Sequence, residues 1–237
     1  MSKPLLILMT RWPAPKRCKK RLAEDIGASK AAAIQKKLTF HTIVVAKSLH
    51  EQGYLEIQLA VEGIGSKKVS RWARSHGISQ SSCQGEGNLG LKMKRQLVLA
   101  QREKSLNPQR GRDIILIGTD VADLCESDIT FAINSLARNE IVIGPAEDGG
   151  YWLIGFSKKI LYPAISWPFT GIRWGSNSVL HETIKKAQVK GVKYKLIGTK
   201  SDLDQSSDLG FWCYSNKVEC LALLYLQSMK PKNYLFY

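Results

Sequence analysis

The chain has 237 residues, of which 44% are hydrophobic and 23% are charged, as is usual for a globular protein with a sizeable core. Its 35 Lys and Arg residues outnumber its 20 Asp and Glu residues, and the resulting net charge of +15 predicts an anionic partner. That partner is nucleic acid, an acidic membrane surface or a phosphorylated small molecule, although scattered surface lysines account for part of the excess.

The cysteines and the short apolar runs argue against a disulfide-stapled or membrane-spanning chain. The five cysteines are odd in number and show no C-x-x-C spacing, so we expect free thiols in a reducing compartment. The run Leu5–Met9 is too short for a secretory signal and ends at Arg11, and Cys220–Leu226 is too short to span a bilayer. The expected location is therefore cytoplasmic.

The N-terminal part predicts a strand, a basic loop and a helix. Pro4–Thr10 is a compact apolar run that predicts the first strand. The basic segment that follows, Arg11–Leu22 (RWPAPKRCKKRL), carries six basic residues and no acid. Pro13 and Pro15 keep this segment out of a helix, so we expect a loop at the carboxyl end of the strand. An apolar stripe then predicts a helix over Ser29–Leu49.

Strands and helices continue to alternate along the chain. The next predicted elements are a strand over Glu56–Glu62, a basic helix near Lys67–Ser75, a short strand over Ile78–Ser82, the glycine-rich loop Gln84–Gly90, a helix and a surface loop over Ser105–Arg112. The last predicted elements are a helix over Ser176–Lys190, a strand over Val192–Ile197 and a helical region that opens at Asp202. This alternation predicts one α/β domain over residues 1–237 with a mainly parallel sheet.

The middle of the chain carries the most informative pattern. Ile114–Ile117 and Ile141–Ile143 are unbroken apolar runs, which are typical of strands buried on both faces of a parallel sheet. A helix is expected between them from Ser127, which can cap it, to Arg138. Tyr151–Phe156 predicts another strand directly afterwards.

Carboxylates follow both buried runs, Asp120 and Asp123 after the first and Glu147 and Asp148 after the second. In an open α/β sheet the ligand lies beyond the carboxyl ends of the strands, so these acids are expected around one cleft. Clustered carboxylates beside a phosphate-bearing ligand are typical of an Mg²⁺ or Mn²⁺ site. The alternative to metal binding is a role in a turn or a helix cap. That alternative is favoured for Asp123, and for Asp120 the two roles are equally supported. Asp148-Gly149 is also a hairpin signal, so a tight turn is the alternative there. Since Asp120 and Asp148 repel without a cation, Asp120→Asn is expected to leave the fold at least as stable.

The basic segment lies where nucleotide-transferring enzymes hold phosphates. Such enzymes usually place glycines there so that backbone N–H groups cradle the phosphates. The segment has no glycine, so Arg and Lys side chains must hold any phosphate. An RNA or membrane patch is the alternative, but the position after the first strand favours the phosphate. His41, His50, His76 and His181 show no metal-like spacing and are expected to be structural or surface residues.

Six stretches carry a family resemblance in a fixed order: RWPAPKRCKKRL, GNLGLKM, LIGTDVADL, GPAEDGGYWLIG, RWGSNSVLHET and DLDQSSDL. Together they resemble a family of glycosyltransferases with the GT-A-like nucleotide-diphospho-sugar transferase fold, some linked to arsenosugar biosynthesis. The group is similar to guanylyl- and cytidylyltransferases, in which an acidic motif ahead of the last helix helps to hold the metal. The chain departs from the family, which usually has Gly at Lys16, Thr at Lys20, Asp at Asn88 and Cys-Pro at Val121-Ala122.

The resemblance implies a three-layer, Rossmann-like (GT-A) fold and metal-dependent transfer of a sugar from a nucleotide-diphospho-sugar to a small-molecule acceptor, with nucleic acid not expected as a partner. The implied cofactor is Mg²⁺ or Mn²⁺, held by Asp120, Asp148 and Asp204. The implied nucleotide-binding residues are Arg11, Lys16, Lys19, Arg21 and Asn88, and the implied catalytic residues are Glu147 and Asp148. Asp202 also matches the late acidic motif, with metal binding or helix capping as its role. Two alternatives stay open: nucleotidyl transfer to a phosphorylated small molecule, and non-catalytic binding of RNA or an acidic partner.

Overall fold

The computed structural model describes residues 2–102, 111–161 and 165–209. Its strands are β1 (Leu5–Arg11), β2 (Glu56–Glu62), β3 (Gln80–Cys83), β4 (Ile114–Gly118), β5 (Ile141–Pro145), β6 (Tyr151–Phe156) and β7 (Tyr194–Leu196). Its α-helices are α1 (Lys20–Ile26), α2 (Ala28–Glu51), α3 (Ser66–Ser75), α4 (Leu89–Arg102), α5 (Glu126–Leu136) and α6 (Val179–Val189), and a short 3₁₀ helix lies at Trp167–Phe169.

All seven strands belong to one sheet, in the order β3-β2-β1-β4-β6-β5-β7. Neighbouring strands are parallel, except that β6 runs antiparallel to both β4 and β5. Leu5 of β1 pairs with Glu56 of β2 on one side and with Ile114 of β4 on the other. The predicted mainly parallel mixed sheet is therefore confirmed.

Alternate residues of the central strands contribute to two cores on opposite faces of the sheet. Leu6 and Leu8 belong to a cluster that includes buried residues of α2, α3 and α5. Leu5 and Ile7 belong to a second cluster, which includes residues of α4 and α6. Because helices cover both faces, the central strands are apolar throughout and the fold has the three layers expected of the nucleotide-diphospho-sugar transferase type.

The start of α5 differs from the prediction. The N-cap residue is Cys125 rather than Ser127, and the helix begins at Glu126. Oδ2 of Asp128 accepts a hydrogen bond of 2.9 Å from the backbone N–H of Cys125. A carboxylate at the third helical position that reaches back to the N-cap in this way is the acidic half of a capping box, and it fixes the N-cap two residues before Ser127.

The basic segment is also not a loop throughout. Helix α1 begins at Lys20, so the last three residues of the segment are helical. Pro13 and Pro15 exclude a helix only around their own positions, and neither restricts the backbone five residues further on.

Several predictions concern residues outside the described ranges: Cys213, Cys220, the run Cys220–Leu226 and positions 105–110 of the predicted surface loop. Within those ranges Cys18, Cys83 and Cys125 are free thiols, as predicted. No helix in the described ranges combines the length and the apolar character that a membrane crossing requires.

Candidate active site

The segment Lys200–Asp204 joins the loops that follow β4 and β5. The backbone N–H of Leu203 donates to the carbonyl of Asp120 at 3.0 Å, and the N–H of Glu147 donates to the carbonyl of Lys200 at 3.2 Å. These bonds connect positions that are far apart in sequence, and they bring the late acidic motif to the carboxyl edge of the sheet. Three acidic stretches therefore meet at the edge where open α/β sheets bind their ligands.

Lys19 links the basic segment to these acids. Its Nζ atom lies 2.6 Å from Oδ1 of Asp120 and 3.4 Å from Oδ1 of Asp204. The side chain of Lys19 is 1% exposed, whereas those of Asp120 and Asp204 are 41% and 51% exposed. Oδ1 of Asp120 is itself a buried atom that accepts no well-directed hydrogen bond. At 2.6 Å its contact with Nζ is still strongly attractive, because the two groups carry opposite charges.

Asp202 lies beside Asp120 and Asp204, because its backbone forms a bridge with Val121, the residue after Asp120. These three carboxylates are called the acid cluster. Burial raises the pKa of Asp202 to about 7, and the charges of Asp120, Asp148 and Asp204 act in the same direction, while Lys19 opposes them. From sequence, Asp202 could be assigned only to metal binding or capping, because its nearness to Asp120 depends on the contact between the 200–204 segment and the end of β4.

The hairpin between β5 and β6 presents Glu147 and Asp148. Both residues are exposed. Oδ1 of Asp148 accepts the N–H of Gly150 at 2.9 Å, and the carboxylate of Glu147 accepts a hydrogen bond from the hydroxyl of Ser201. Gly149 adopts a φ of 87°, as a tight turn requires. The hairpin prediction is thus confirmed, and the turn displays two carboxylates rather than burying them.

A later part of the chain packs against this hairpin. The N–H of Leu180 donates to the carbonyl of Gly149 at 2.9 Å, and a Cβ atom added to Gly149 would lie 2.1 Å from the carbonyl oxygen of Asn177. Trp174 contacts Tyr151 edge to face, with ring centroids 6.4 Å apart. The RWGSNSVLHET stretch therefore forms one wall beside the two exposed carboxylates.

Asp123 does not join the acid cluster, so its grouping with Asp120 and Asp148 needs correction. Nζ of Lys200 lies 3.1 Å from Oδ2 of Asp123 and 2.9 Å from Oδ2 of Asp128. Burial disfavours the charge of Lys200, but the two carboxylates outweigh it and raise the lysine pKa. Asp123 thus has a structural ion pair, in addition to any local turn role.

The predicted nucleotide-binding residues occupy different positions along the edge. Nε of Arg11 lies 3.5 Å from Oε2 of Glu62, whose other oxygen is 2.6 Å from Nζ of Lys92. Oδ1 of Asn88 accepts the N–H of Leu91 at 3.0 Å, which caps the start of α4. Arg11 is therefore at the edge but already paired, and Asn88 has a helix-capping role.

The other basic residues differ in exposure. Lys16 and Arg21 are exposed, so both are accessible to a ligand. Lys16 has a φ of 66°, which is unfavourable for a residue with a Cβ and explains why glycine suits this position. Among the five predicted nucleotide-binding residues, all of which lie in the described ranges, Lys19 alone contacts Asp120 and Asp204.

A buried polar cluster beneath the edge was not predicted. Thr10 Oγ1 lies 2.9 Å from Thr39 Oγ1 and accepts from Thr119 Oγ1 at 3.0 Å. Nε2 of Gln35 donates to Thr119 Oγ1 at 3.3 Å. These contacts tie the ends of β1 and β4 to α2, directly before Asp120. They help to fix the backbone from which that carboxylate projects.

The acid cluster has the donor chemistry of a hard-cation site. Carboxylate oxygens are the ligands that Mg²⁺ and Mn²⁺ prefer, and Oδ1 of Asp120 is a buried oxygen without a directed hydrogen bond. Within the described ranges, no three His, Cys, Asp or Glu side chains are grouped so that they could hold a metal ion together. Asp120 and Asp204 thus offer suitable oxygen atoms, but they are not grouped with a third ligand, and Lys19 contacts both of them.

Solved structures of other proteins share this fold. A candidate nucleotide-diphospho-sugar transferase from Desulfovibrio desulfuricans G20 is 24% identical, with a TM-score of 0.80 and 96% of each chain covered. The 4-diphosphocytidyl-2C-methyl-D-erythritol synthase of Anaerococcus prevotii DSM 20548 is 15% identical, with a TM-score of 0.53 over 95% of this chain and 99% of the other. The inositol-1-phosphate CTP transferase of T. maritima is 14% identical, with a TM-score of 0.52 over 97% and 98%.

At these identities the similarity establishes the fold, which is that of the nucleotide-diphospho-sugar transferases. No curated protein matches the chain. A family model does match it over residues 45–176, a range that includes β2 to β6 and both acidic loops of the middle of the chain. The chain therefore belongs to the bacterial family DUF2064, whose description is "Uncharacterized protein conserved in bacteria".

Proposed function

We propose that the protein is a metal-dependent glycosyltransferase that uses a nucleotide-diphospho-sugar. The observation that carries this proposal is the contact of Lys19 with Asp120 and Asp204 at the carboxyl edge of the sheet. This contact supports the proposal, because a diphosphate and its metal together need a basic side chain and carboxylates side by side. The fold shared with the D. desulfuricans protein supports the same substrate class.

The nucleotide diphosphate would be bound by side chains of the basic segment. Lys19 is the innermost of them, and Arg11, Lys16 and Arg21 are exposed at or near the same edge. Because the segment contains no glycine, these Arg and Lys side chains replace the backbone cradle of glycine-rich loops. Asn88, at the start of α4, would contribute only after giving up its bond to Leu91.

The residues that would hold Mg²⁺ or Mn²⁺ are Asp120, Asp148 and Asp204. Because no three such side chains of the described ranges are grouped as a metal site, phosphate oxygens of the substrate would have to complete the coordination. When bound, the cation would neutralise negative charge on the departing diphosphate. Lys19 and Arg21 would contribute further positive charge to the same leaving group.

The chemistry would be a substitution at the anomeric carbon of the sugar. In an inverting reaction the acceptor hydroxyl oxygen forms the new bond to that carbon, and the bond to the β-phosphate oxygen breaks, so that a nucleoside diphosphate leaves. The acceptor proton passes to Glu147 or Asp148, which are exposed on the hairpin and available as general bases. Trp174 and Tyr151 lie on the wall beside the hairpin and would border the acceptor.

Calorimetry with UDP-, GDP- and dTDP-sugars, with and without Mn²⁺, tests the substrate class. We expect at least one of them to bind in the presence of Mn²⁺ and to bind much more weakly without it. Absence of binding to all three in a folded sample, with Mn²⁺ present, would contradict the proposal.

Nucleotidyl transfer is the second candidate, because the fold is shared with the A. prevotii and T. maritima enzymes. In that reaction a substrate phosphate attacks the α-phosphorus of a nucleoside triphosphate and pyrophosphate leaves. The glycine-free segment is less suited to wrapping a triphosphate, which places this candidate second. Release of pyrophosphate from a nucleoside triphosphate with a panel of phosphorylated acceptors, lost in Asp120→Asn, would favour it over glycosyl transfer.

The third candidate is a non-catalytic protein that binds RNA. Helix α3 favours it, because Lys67, Lys68, Arg71 and Arg74 are all exposed and no acid lies between Gly63 and Gly85. Binding through phosphates weakens by roughly 10³-fold or more between 50 and 200 mM salt. Filter binding of generic RNA over this range should show that steep loss, and weak binding that is insensitive to salt would exclude the candidate.

A further inference from the structure

Lys19 is the counter-cation of the acid cluster. Its side chain is almost fully buried, and its ammonium contacts Oδ1 of Asp120 at 2.6 Å and Oδ1 of Asp204 at 3.4 Å. Burial disfavours a charged lysine unless acidic partners compensate it. The two carboxylates therefore hold Lys19 in place, and Lys19 in turn neutralises part of their charge.

The same two carboxylates belong to the set that would hold the divalent cation. Such a cation needs direct contact with its carboxylate oxygens, at a shorter distance than an ammonium does. An ammonium 2.6 Å from Oδ1 of Asp120 repels a second positive ion at that carboxylate and neutralises part of its charge. The ammonium of Lys19 therefore competes with a divalent cation for Asp120 and Asp204, and cation binding is favoured when the ammonium moves away.

A bound diphosphate would compete with Asp120 and Asp204 for the ammonium of Lys19. Its oxygens carry more negative charge than one carboxylate and form strong charge-assisted hydrogen bonds with an ammonium. The lysine stem has four flexible carbons, so Nζ can change partners without a large backbone change. The backbone at Lys19 has φ 47° and ψ 52°, and Lys16 has φ 66°. Both are left-handed conformations that lysine disfavours. The backbone of the segment is therefore already strained, and a change of its conformation costs little.

We propose that Lys19 couples nucleotide binding to cation binding, an inference that rests on the proposed function. In the free protein Lys19 neutralises Asp120 and Asp204. A nucleoside diphosphate draws the ammonium onto its phosphate oxygens, and the two carboxylates then become available to Mg²⁺ or Mn²⁺. Each ligand raises the affinity for the other, since such coupling is reciprocal. Lys19 is therefore a positioning residue that favours binding of the nucleotide first and the cation second.

Mn²⁺ binding without nucleotide, followed by electron paramagnetic resonance of the unbound ion, tests the coupling without any activity assay. Wild type should bind Mn²⁺ weakly, and Lys19→Met should bind it at least about tenfold more tightly, because Asp120 and Asp204 have lost their competing ammonium. Lys30→Met is the matched control, since it removes the same charge from an exposed position of α2, outside the basic segment. Its Mn²⁺ affinity should stay close to that of wild type.

Lys19→Gln provides a second neutral variant should Lys19→Met fail to fold, and circular dichroism checks each protein. Mn²⁺ binding by wild type should strengthen when UDP, GDP or dTDP is added. If wild type responds in this way but neither neutral variant binds Mn²⁺ alone more tightly than wild type does, the coupling role of Lys19 is overturned while the proposed function stands. If no protein binds Mn²⁺ with any of the three nucleoside diphosphates, the proposed function fails as well.

Discussion

Nζ of Lys19 lies 2.6 Å from Oδ1 of Asp120, and this contact joins the most basic part of the chain to the first acid after β4. It reverses one expectation about stability. Repulsion among the acids alone would make Asp120→Asn neutral or stabilising, but the substitution also removes the nearest partner of a buried ammonium.

We therefore expect Asp120→Asn to lower the free energy of unfolding in EDTA. Asp120 is 41% exposed and Asp204 remains at 3.4 Å, so the loss should be about 1–2 kcal/mol, below that of a fully buried pair. Urea unfolding of Asp120→Asn, Lys19→Met and the double variant measures it. A favourable coupling energy in this cycle confirms the ion pair, and additive effects would contradict it.

Lys16→Gly should stabilise the protein. Lys16 has a φ of 66°, which costs a residue with a Cβ about 1–2 kcal/mol relative to glycine, while the greater freedom of glycine in the unfolded chain offsets part of the gain. The expected net increase in the free energy of unfolding is about 0.5–1 kcal/mol. Lys16→Ala removes the same charge but keeps a Cβ, so an equal increase in that variant would assign the effect to charge instead.

Gly149→Ala should destabilise the hairpin severely. The new Cβ would lie 2.1 Å from the carbonyl oxygen of Asn177, at a φ of 87°. We expect a loss of roughly 2–4 kcal/mol, measured by urea unfolding. Gly175→Ala is the matched control, because Gly175 has the same φ but nothing within 4 Å of the added Cβ. Equal losses in the two variants would show that φ alone, and not packing against Asn177, restricts Gly149.

His41 should make the protein less stable in acid. Burial lowers its pKa below 6.5, with Lys200 acting in the same direction, while the bond to the carbonyl of Leu124 and the charge of Asp123 oppose the shift. The unfolded chain therefore binds a proton on this residue that the folded protein does not, and stability falls as the pH drops below about 6.5.

His41→Asn should make the pH dependence shallower between pH 7 and 5, by up to about 1.4 kcal/mol per pH unit, whatever its effect on stability at pH 7. His181→Asn, at an exposed position, should keep the wild-type slope. Unfolding by urea across this range provides both slopes. An unchanged slope in His41→Asn would mean that His41 titrates alike in both states.

The sequence predicted those features that depend on local pattern. Unbroken apolar runs identified β4 and β5 as strands covered on both faces, and the acids after them were placed at the correct edge. Asp148-Gly149 predicted the hairpin because turn chemistry is local, although the turn closes from Gly149 to Ala146 and is longer than that dipeptide. The strand order could not be read in this way, since the antiparallel insertion of β6 between β4 and β5 is set by pairing between distant segments.

The contacts within the site depend on pairing across the chain. The resemblance groups Lys19 with Arg11, Lys16 and Arg21, and only the fold shows that Lys19 is the buried one. Asp202 joins the cluster because residues 200–204 pair with the ends of β4 and β5. Cys125, and not Ser127, is the N-cap because the carboxylate of Asp128 bonds to the backbone N–H of Cys125. The sequence pattern favoured Ser127 because serine is a common N-cap residue.

The proposed function requires Asp120 to help hold a divalent cation together with a nucleoside diphosphate. The melting temperatures of wild type, Asp120→Asn and Asp113→Asn, each with and without Mn²⁺ plus UDP, GDP or dTDP, test it most directly. Asp113 precedes the opposite end of β4 and accepts the N–H of Lys158, so its variant controls for loss of one acid beside the same strand. Ligands that bind only the folded state raise its melting temperature. We predict a shift in wild type and Asp113→Asn that is absent in Asp120→Asn; a full Mn²⁺-dependent shift in Asp120→Asn would contradict the account.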